Sequence, residues 1–331
     1  MGQTMSDIEI ICVNDGSTDG TLSLLQKLAS EDKRIKIIDK PNSGYGNTMN
    51  VGFDAAQGEY IGILESDDFI KPDMLEKHYT IARKNNLDVV KSNFFYYWSI
   101  PTDRSQHCNL LDEDECGRVL RPRDEKHIFF VKPSIWSAIY RADFIRDNNI
   151  RFNETPGASY QDASFNFQVW LNAERVWFLR DAFLYYRQDN EASSVNSPGK
   201  VFCVCDEYER MESFLDEWPD SNEAREMRGV LIAMKFDSYL WNYDRLSPDL
   251  ADEFFKRFVE EMKGHEDRGE IVWDALRDDK RYELRWLLSD PEYMLARHKA
   301  ILKHPTRFGR ILSYFHQGGL SYVLKPLQHL E

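Results

Sequence analysis

The sequence predicts an α/β fold, in which a mostly parallel sheet carries helices on both faces, followed by a helical C-terminal region. Short apolar runs alternate with stretches of helical periodicity through residues 1–95, and strands that alternate with helices form parallel sheets covered on both faces. From about Val201 onward, helical patterns dominate. We therefore predict a domain at residues 1–200 and a helical region at residues 201–331.

The strands of this sheet are predicted from short runs of apolar and β-branched residues bounded by turn residues. Between the first two runs, Leu22, Leu25 and Leu28 share one face of a helix. A later helix starts at Pro72, a residue favoured in the first helical turn. The predicted strands are residues 8–13, 35–38, 60–64, 88–91 and 176–179.

Composition excludes several classes of protein. The 331 residues carry a formal net charge of -14, whereas a general nucleic-acid binder needs a positive surface. No apolar run is long enough to span a bilayer. Five cysteines, an odd number in a long chain, favour a reduced, cytoplasmic protein. A homo-oligomer is left open.

Acidic side chains follow the predicted strand at residues 60–64. Alternation in an extended chain puts Glu65 and Asp67 on one side, at the strand end where open α/β sheets bind ligands. Two converging carboxylates repel each other unless a cation lies between them, and hard oxygen ligands suit Mg²⁺ or Mn²⁺. The alternative is a solvated acidic turn, with Asp68 as its last residue.

A second polar segment, residues 14–19, ends the first predicted strand. Gly16 lets the backbone approach a ligand closely, and Asp15 can accept hydrogen bonds from a base N–H or a sugar hydroxyl. An Asx turn with a helix cap explains this segment equally well. Its functional value comes from pairing with the acidic strand end at Glu65.

Taken together and in order, these motifs and later ones resemble family 2 glycosyltransferases of the GT-A fold, whose sheet is Rossmann-like. The resemblance covers residues 5–195 and implies an inverting transferase that uses a nucleotide-diphosphate sugar and a divalent metal. The motifs are Asn14-Asp15-Gly16-Ser17-Thr18-Asp19, Asn42-x-Gly44-x-Gly46, Gly58-Glu59-Tyr60, Glu65-Ser66-Asp67-Asp68, Trp136 with Tyr140-Arg141, and Tyr160-Gln161-Asp162 with Phe165.

The resemblance implies roles for individual residues of the donor site. Asp15, with Gly16 and Ser17, contacts the nucleotide, and Asp67 binds the Mn or Mg ion. Glu65 stands where the family usually has Asp, which keeps a carboxylate but lengthens it. UDP is the expected carrier, because it is the family's commonest. The expected acceptor is a saccharide or a lipid-linked hydroxyl, in cell-surface polysaccharide or glycolipid synthesis.

The same resemblance makes Asp162 the general base that takes the acceptor proton. The helical run from Ala163 to Leu171 predicts that Asp162 lies at a helix N-terminus, which favours its ionised form. Gln161 replaces the usual Glu and is expected near the acceptor. Trp136 is either a sugar-stacking wall or a core aromatic, and Arg187 either binds a phosphate or forms a surface salt bridge.

Two further expectations concern the ends of the chain. Family members carry a strand, a loop and a helix before the segment that matches residues 7–15. We therefore expect a gap, a closed-up sheet or an intermolecular substitute between the strands at residues 8–13 and 60–64, and poor or no sugar transfer. Residues 305–331 place Phe308 and Phe315 beside basic residues, a pattern that fits either peripheral contact with an anionic membrane or packing on the acidic body.

Two other functions compete with sugar transfer. A metal-dependent nucleotidyltransferase also joins an α/β domain to a metal and a nucleotide, but no basic glycine-rich phosphate loop opens this chain. A catalytically impaired nucleotide-binding protein follows if the first strand is missing. Turnover of a nucleotide sugar separates this second alternative from an enzyme.

Overall fold

The computed structural model describes residues 1–155, 160–189 and 201–303. The chain forms two compact units, Met1–Glu217 and a second one that begins at Trp218. The first unit contains the α/β sheet, and the described part of the second is helical. The sequence predicted a domain boundary near residue 200. The helix that follows this position, Cys203–Asp216, belongs to the first unit.

Nine strands lie in the described residues of the first unit. In chain order they are β1 (Ile10–Asp15), β2 (Ile35–Lys40), β3 (Tyr60–Gly62), β4 (Phe69–Ile70), β5 (Val89–Trp98), β6 (Arg104–Cys108), β7 (Val119–Leu120), β8 (Ala138–Arg141) and β9 (Val176–Arg187).

The α-helices are shared between the units. Those of the first unit are α1 (Thr21–Glu31), α2 (Tyr45–Ala55), α3 (Met74–Asn85), α4 (Ala142–Asp147), α5 (Gln161–Asn172) and α6 (Cys203–Asp216). Those of the second are α7 (Ser221–Tyr243), α8 (Pro248–Asp267), α9 (Asp278–Ser289) and α10 (Pro291–Lys303).

The main sheet has the strand order β3-β8-β5-β9-β4, with β6 and β7 on its margins. β5 and β9 pair in parallel, and β8 is antiparallel to both β3 and β5. β3, β5 and β9 therefore run in one direction, with β8 inserted against them. The predicted α/β class, with a central sheet and helices on both sides, is confirmed. The main sheet is mixed rather than mostly parallel, because β4, β6, β7 and β8 all pair antiparallel with their neighbours.

β5 is buried on both faces of the sheet. Its first six residues, from Val89 to Phe94, are all buried, so side chains on both sides of the pleat are removed from water. Strands buried on both faces read as continuous apolar runs rather than alternating ones. Lys91, a lysine in this buried run, is 1% exposed.

β1 and β2 form a separate two-stranded parallel sheet. Within the described residues, β1 pairs with β2 alone and β3 pairs with β8 alone. No strand among the described residues lies between β1 and β3. This is the position at which the sequence led us to expect a gap. Each of these two strands thus has one edge without a neighbouring strand.

The second unit is built on the faces of α7 and α8. Phe254, Phe258 and Met262 are fully buried, and Tyr239 packs against both phenylalanines. None of the helices in the described ranges is long and apolar enough to cross a membrane. The predicted membrane contact through residues 305–331 lies outside the described residues.

Candidate active site

Glu65 follows β3 and is held by the start of α2. The Tyr45 hydroxyl, from the first residue of that helix, donates a hydrogen bond of 2.6 Å to Glu65 Oε1. Burial raises the pKa of Glu65, the Tyr45 hydrogen bond opposes this rise, and the charge of Asp67 adds to it. The charges of Glu65 and Asp67 therefore act on each other, although the chain turns at Ser66 and Asp67 instead of staying extended as the alternation assumed.

The end of β9 supports the turn that carries Asp67 and Asp68. The Arg187 N–H donates to Asp68 Oδ1 at 2.9 Å, and its Nε donates to the Asp67 carbonyl oxygen at 3.1 Å. Arg187 also donates to Ser99 Oγ at 2.9 Å. Arg187, the predicted phosphate contact, thus lies beside the acidic turn. Its side chain already bonds to protein groups there.

Asp68 is the most strongly perturbed acid of this turn. Burial, followed by the charges of Asp67 and Glu65, raises its pKa to about 7 against the bond from Arg187. Its Oδ2 is buried and has no hydrogen-bond partner among the described residues. An orphaned carboxylate oxygen beside two further carboxylates is a donor set that fits a hard divalent cation.

A different cluster of potential metal ligands lies elsewhere in the first unit. Ligand atoms of Glu115, Glu125 and His127 all lie within 4.8 Å of one another. Arg118 already makes two hydrogen bonds to Glu125, of 2.6 and 2.7 Å, which neutralises one of its acids. The assignment of the metal to Asp67 therefore stays a prediction.

Asp15, at the end of β1, anchors the glycine-containing loop before α2. Its carboxylate accepts from Ser43 N at 2.8 Å, from Gly44 N at 3.0 Å and from Lys40 Nζ. Burial works to raise its pKa, but these bonds hold the pKa below its usual value. A carboxylate has about four acceptor sites, and these bonds use three of them.

Gly16 and Ser17 continue this turn. Gly16 has a φ of +71°, and a Cβ there would lie 2.7 Å from the backbone nitrogen of Asn42. Only glycine fits this left-handed position in contact with the neighbouring loop. Ser17 N donates to Asn14 Oδ1 at 3.4 Å, the local Asx bonding that the sequence had left as an alternative.

Asp162 lies in the first turn of α5, as predicted. Burial raises its pKa to about 6, while the Ala163 N–H and the charge of Lys132 work to lower it and Glu65 works to raise it. A pKa near the working pH is what a general base needs. The charges of Lys132 and of Glu65, the acid after β3, thus both act on Asp162.

Lys132 is a member of this site that sequence reasoning missed. Its ammonium lies 4.9 Å from the Tyr96 ring and 4.8 Å from the Tyr186 ring. Burial lowers its pKa, whereas the charges of Asp162 and Asp68 work to raise it. A single lysine between aromatic runs carries no sequence signal, because its neighbours come from distant strands.

Two predicted acceptor contacts are buried. The Trp136 indole is 7% exposed and stacks on Tyr186 with 4.7 Å between ring centroids, the packing of a core aromatic. Gln161 is 2% exposed and its Nε2 donates to Thr155 Oγ1 at 2.9 Å. Both side chains thus support the walls of the site.

An α/β domain with carboxylates after a strand end and another acid in the first turn of a helix is an arrangement that fits a GT-A glycosyltransferase. Residues 1–150 match the model of "Glycosyl transferase family 2". Over these residues the chain is similar to family 2 glycosyltransferases.

Curated relatives are similar to this chain over part of their length. The "Uncharacterized glycosyltransferase EpsJ" of Bacillus subtilis is 30% identical over 192 residues, which are 56% of this chain and 54% of the relative. The "Cholesterol galactosyltransferase" of Borreliella burgdorferi is 30% identical over 208 residues, 59% of this chain and 57% of the relative. The chain thus spans a little over half the length of these relatives.

Among solved structures, S. aureus TarS 1-349 in complex with UDP is similar, with a TM-score of 0.67. The match covers 92% of this chain and 85% of that one at 17% identity. The same protein in complex with UDP-GlcNAc gives a TM-score of 0.66, at 16% identity over 92% of this chain and 86% of that one. At this identity the likeness shows the fold.

Proposed function

We propose that this chain transfers a sugar from a nucleotide-diphosphate sugar, with UDP as the carrier, to a hydroxyl acceptor with inversion at the anomeric carbon. One observation carries the proposal: Glu65, after β3, acts electrostatically on Asp162 at the start of α5, and the charges of Asp162 and Asp68 both act on Lys132. The UDP and UDP-GlcNAc complexes of TarS support the choice of carrier.

In the proposed reaction, the acceptor oxygen attacks the anomeric carbon as the bond from that carbon to the diphosphate breaks. Asp162 takes the hydroxyl proton, and the nucleoside diphosphate leaves with the bonding electrons. Because burial raises its pKa to about 6, Asp162 is ionised at neutral pH yet basic enough to accept a proton. The single displacement inverts the configuration of the sugar.

Asp67, with Glu65 and Asp68, would hold a Mn²⁺ or Mg²⁺ ion. When bound, this ion supplies positive charge to the diphosphate leaving group. The orphaned Oδ2 of Asp68 and the mutual repulsion of the three acids support this assignment. Lys132, near both Asp68 and Asp162, would add a fixed positive charge on the same side of the site.

Asp15 would contact the nucleotide through its remaining acceptor site. Its bonds to Ser43 and Gly44 keep it ionised and orient the loop. Arg187 would stabilise the acidic turn and reach a phosphate only through nitrogen sites not used by Ser99 and Asp67. A cytoplasmic location, a saccharide or lipid-linked acceptor and peripheral membrane contact complete the proposal.

The open edges of β1 and β3 favour a second candidate, a protein that binds the nucleotide without turning it over. The experiment that separates the two is release of the nucleoside diphosphate from a panel of UDP, GDP and dTDP sugars, with and without Mn²⁺. Sugar transfer predicts metal-dependent release from one donor. Calorimetric binding of UDP without release from any donor would favour the second candidate.

A further inference from the structure

A hydrogen bond joins α5 to α6. Both helices lie beyond the 150 residues that match the family model. Glu207, on α6, has no exposed surface, and its Oε2 accepts a hydrogen bond from Ser164 Oγ. Ser164 lies two positions after Asp162, in the first turn of α5. An acid in the interior is costly unless its oxygens are satisfied, so this contact is specific.

The second oxygen of Glu207 reaches the segment that precedes α5. Asn153 Nδ2 donates to Glu207 Oε1 at 3.1 Å. Asn153 and Ser164 flank residues 156–159 in the sequence, so a single carboxyl group ties the chain on both sides of that stretch. Both of its oxygens are thereby used inside the protein, with none directed to solvent.

The segment around Asn153 is fixed from the opposite side by α2. Asn50 exchanges two hydrogen bonds of 3.0 Å with the backbone of Phe152, and its Nδ2 also donates to Glu154 Oε1 at 2.9 Å. A Cβ on Gly46 would lie 2.0 Å from the Asn153 carbonyl oxygen, so only glycine allows this approach. Because Tyr45 of α2 also holds Glu65, the donor acids and the α5 segment share one support.

We propose that Glu207 is a positioning residue for sugar transfer: by holding Ser164 and Asn153 it fixes the first turn of α5, and with it the carboxylate of Asp162. The inference rests on the proposed role of Asp162 as the base. Misplacing a reacting group by about 1 Å costs as much as 10²-fold in rate, so loss of this contact should lower turnover without changing the donor site.

The protonation equilibrium of Glu207 is compatible with this role. Burial, followed at lower weight by the charges of Asp162 and Asp206, raises its pKa to about 7, although Ser164 and Asn153 work to lower it. Near neutral pH the group thus exists in both forms. Glutamine copies the protonated form, because its amide can donate to Ser164 and accept from Asn153.

The test compares Glu207→Ala with Glu207→Gln in the full chain. The matched control is Glu209→Gln, the same change at an exposed position of the same helix. We expect the alanine variant to lose roughly 10- to 100-fold in kcat with an unchanged Kd for the donor, and to exchange the amide hydrogens of Ala163 and Ser164 faster. The glutamine variant and the control should resemble the unmodified chain in all three measurements.

Normal turnover and normal amide exchange in Glu207→Ala would overturn the inference. So would equal loss in the glutamine variant, because glutamine keeps the hydrogen bonds, or a parallel loss of donor affinity. If the unmodified chain releases no nucleotide from any donor, the proposed function fails. Amide exchange in the first turn of α5 still decides whether Glu207 fixes that turn.

Discussion

Asp15 and Asp162 are the same residue type at two ends of the candidate site, yet their surroundings differ. Asp15 accepts bonds from two backbone N–H groups and a lysine, which hold its pKa low. Asp162 is dominated by burial, which raises its pKa to about 6. The first is therefore a permanently ionised anchor, whereas the second can exchange a proton near neutral pH.

The largest expected effect is that of a change at Asp162, the second residue of this comparison. Asp162→Asn should lower turnover by ~10²–10⁴, because the amide cannot accept the acceptor proton. Donor affinity should persist, since the variant keeps the size of the side chain. Steady-state kinetics with calorimetry of the donor measures both quantities, and a near-normal kcat would show that another group is the base.

Asp67→Ala is expected to act on binding instead. Loss of a carboxylate that supports a metal costs roughly 10–100-fold in metal affinity even from outside the ligand shell, so a direct ligand should cost at least as much. Calorimetric titration of UDP with and without Mn²⁺ provides the measurement. An unchanged Mn²⁺-dependent Kd would remove Asp67 from the ion site.

At the Asp15 end, Gly16→Ala should reduce stability by about 1–3 kcal/mol, the usual cost of a strained backbone position. The added Cβ meets the Asn42 nitrogen, and φ is +71°. Gly20→Ala is the control, because nothing lies within 4 Å of a Cβ there. Chemical denaturation of both variants checks this, and equal stability would contradict the strain.

The smallest effect is a pH dependence of stability at Glu207. Its pKa rises from 4.5 to about 7 on folding, so the folded chain binds the proton more tightly than the unfolded one. This contribution to stability is fully present below pH 4.5 and is lost as the pH rises through about 7. Glu207→Gln does not titrate there.

Denaturation of the two proteins across this pH window should therefore show the unmodified chain losing stability relative to Glu207→Gln as the pH increases. A difference that stays constant with pH would mean that the folded pKa of Glu207 is not raised. Glu209→Gln, at the exposed position, provides the baseline for losing one negative charge from α6.

Local patterns predicted the elements that local forces determine. The apolar runs at residues 8–13, 35–38 and 60–64 correspond to β1, β2 and β3. The helical run after Ala163 correctly placed Asp162 in the first turn of α5. These features depend on side-chain periodicity and helix termini, which neighbouring residues encode.

Local sequence patterns could not predict the contacts between distant segments of the chain. β8 is only four residues long, and its insertion between β3 and β5 depends on partners rather than on its own composition. Ser164 and Glu207 are separated by 43 residues, and Lys132 is surrounded by rings from β5 and β9. The sequence also could not show that Arg187 and Gln161 bond to protein groups, because those partners are set by packing.

The most direct test of the proposed chemistry is real-time ¹H NMR of an α-linked UDP sugar incubated with the chain and Mn²⁺. The anomeric proton of the first product, formed with water or an added acceptor, reports the configuration before mutarotation. Single displacement with Asp162 as the base predicts the β anomer, and its loss in Asp162→Asn. Release of the α anomer first, or no metal-dependent release from any donor, would contradict the account.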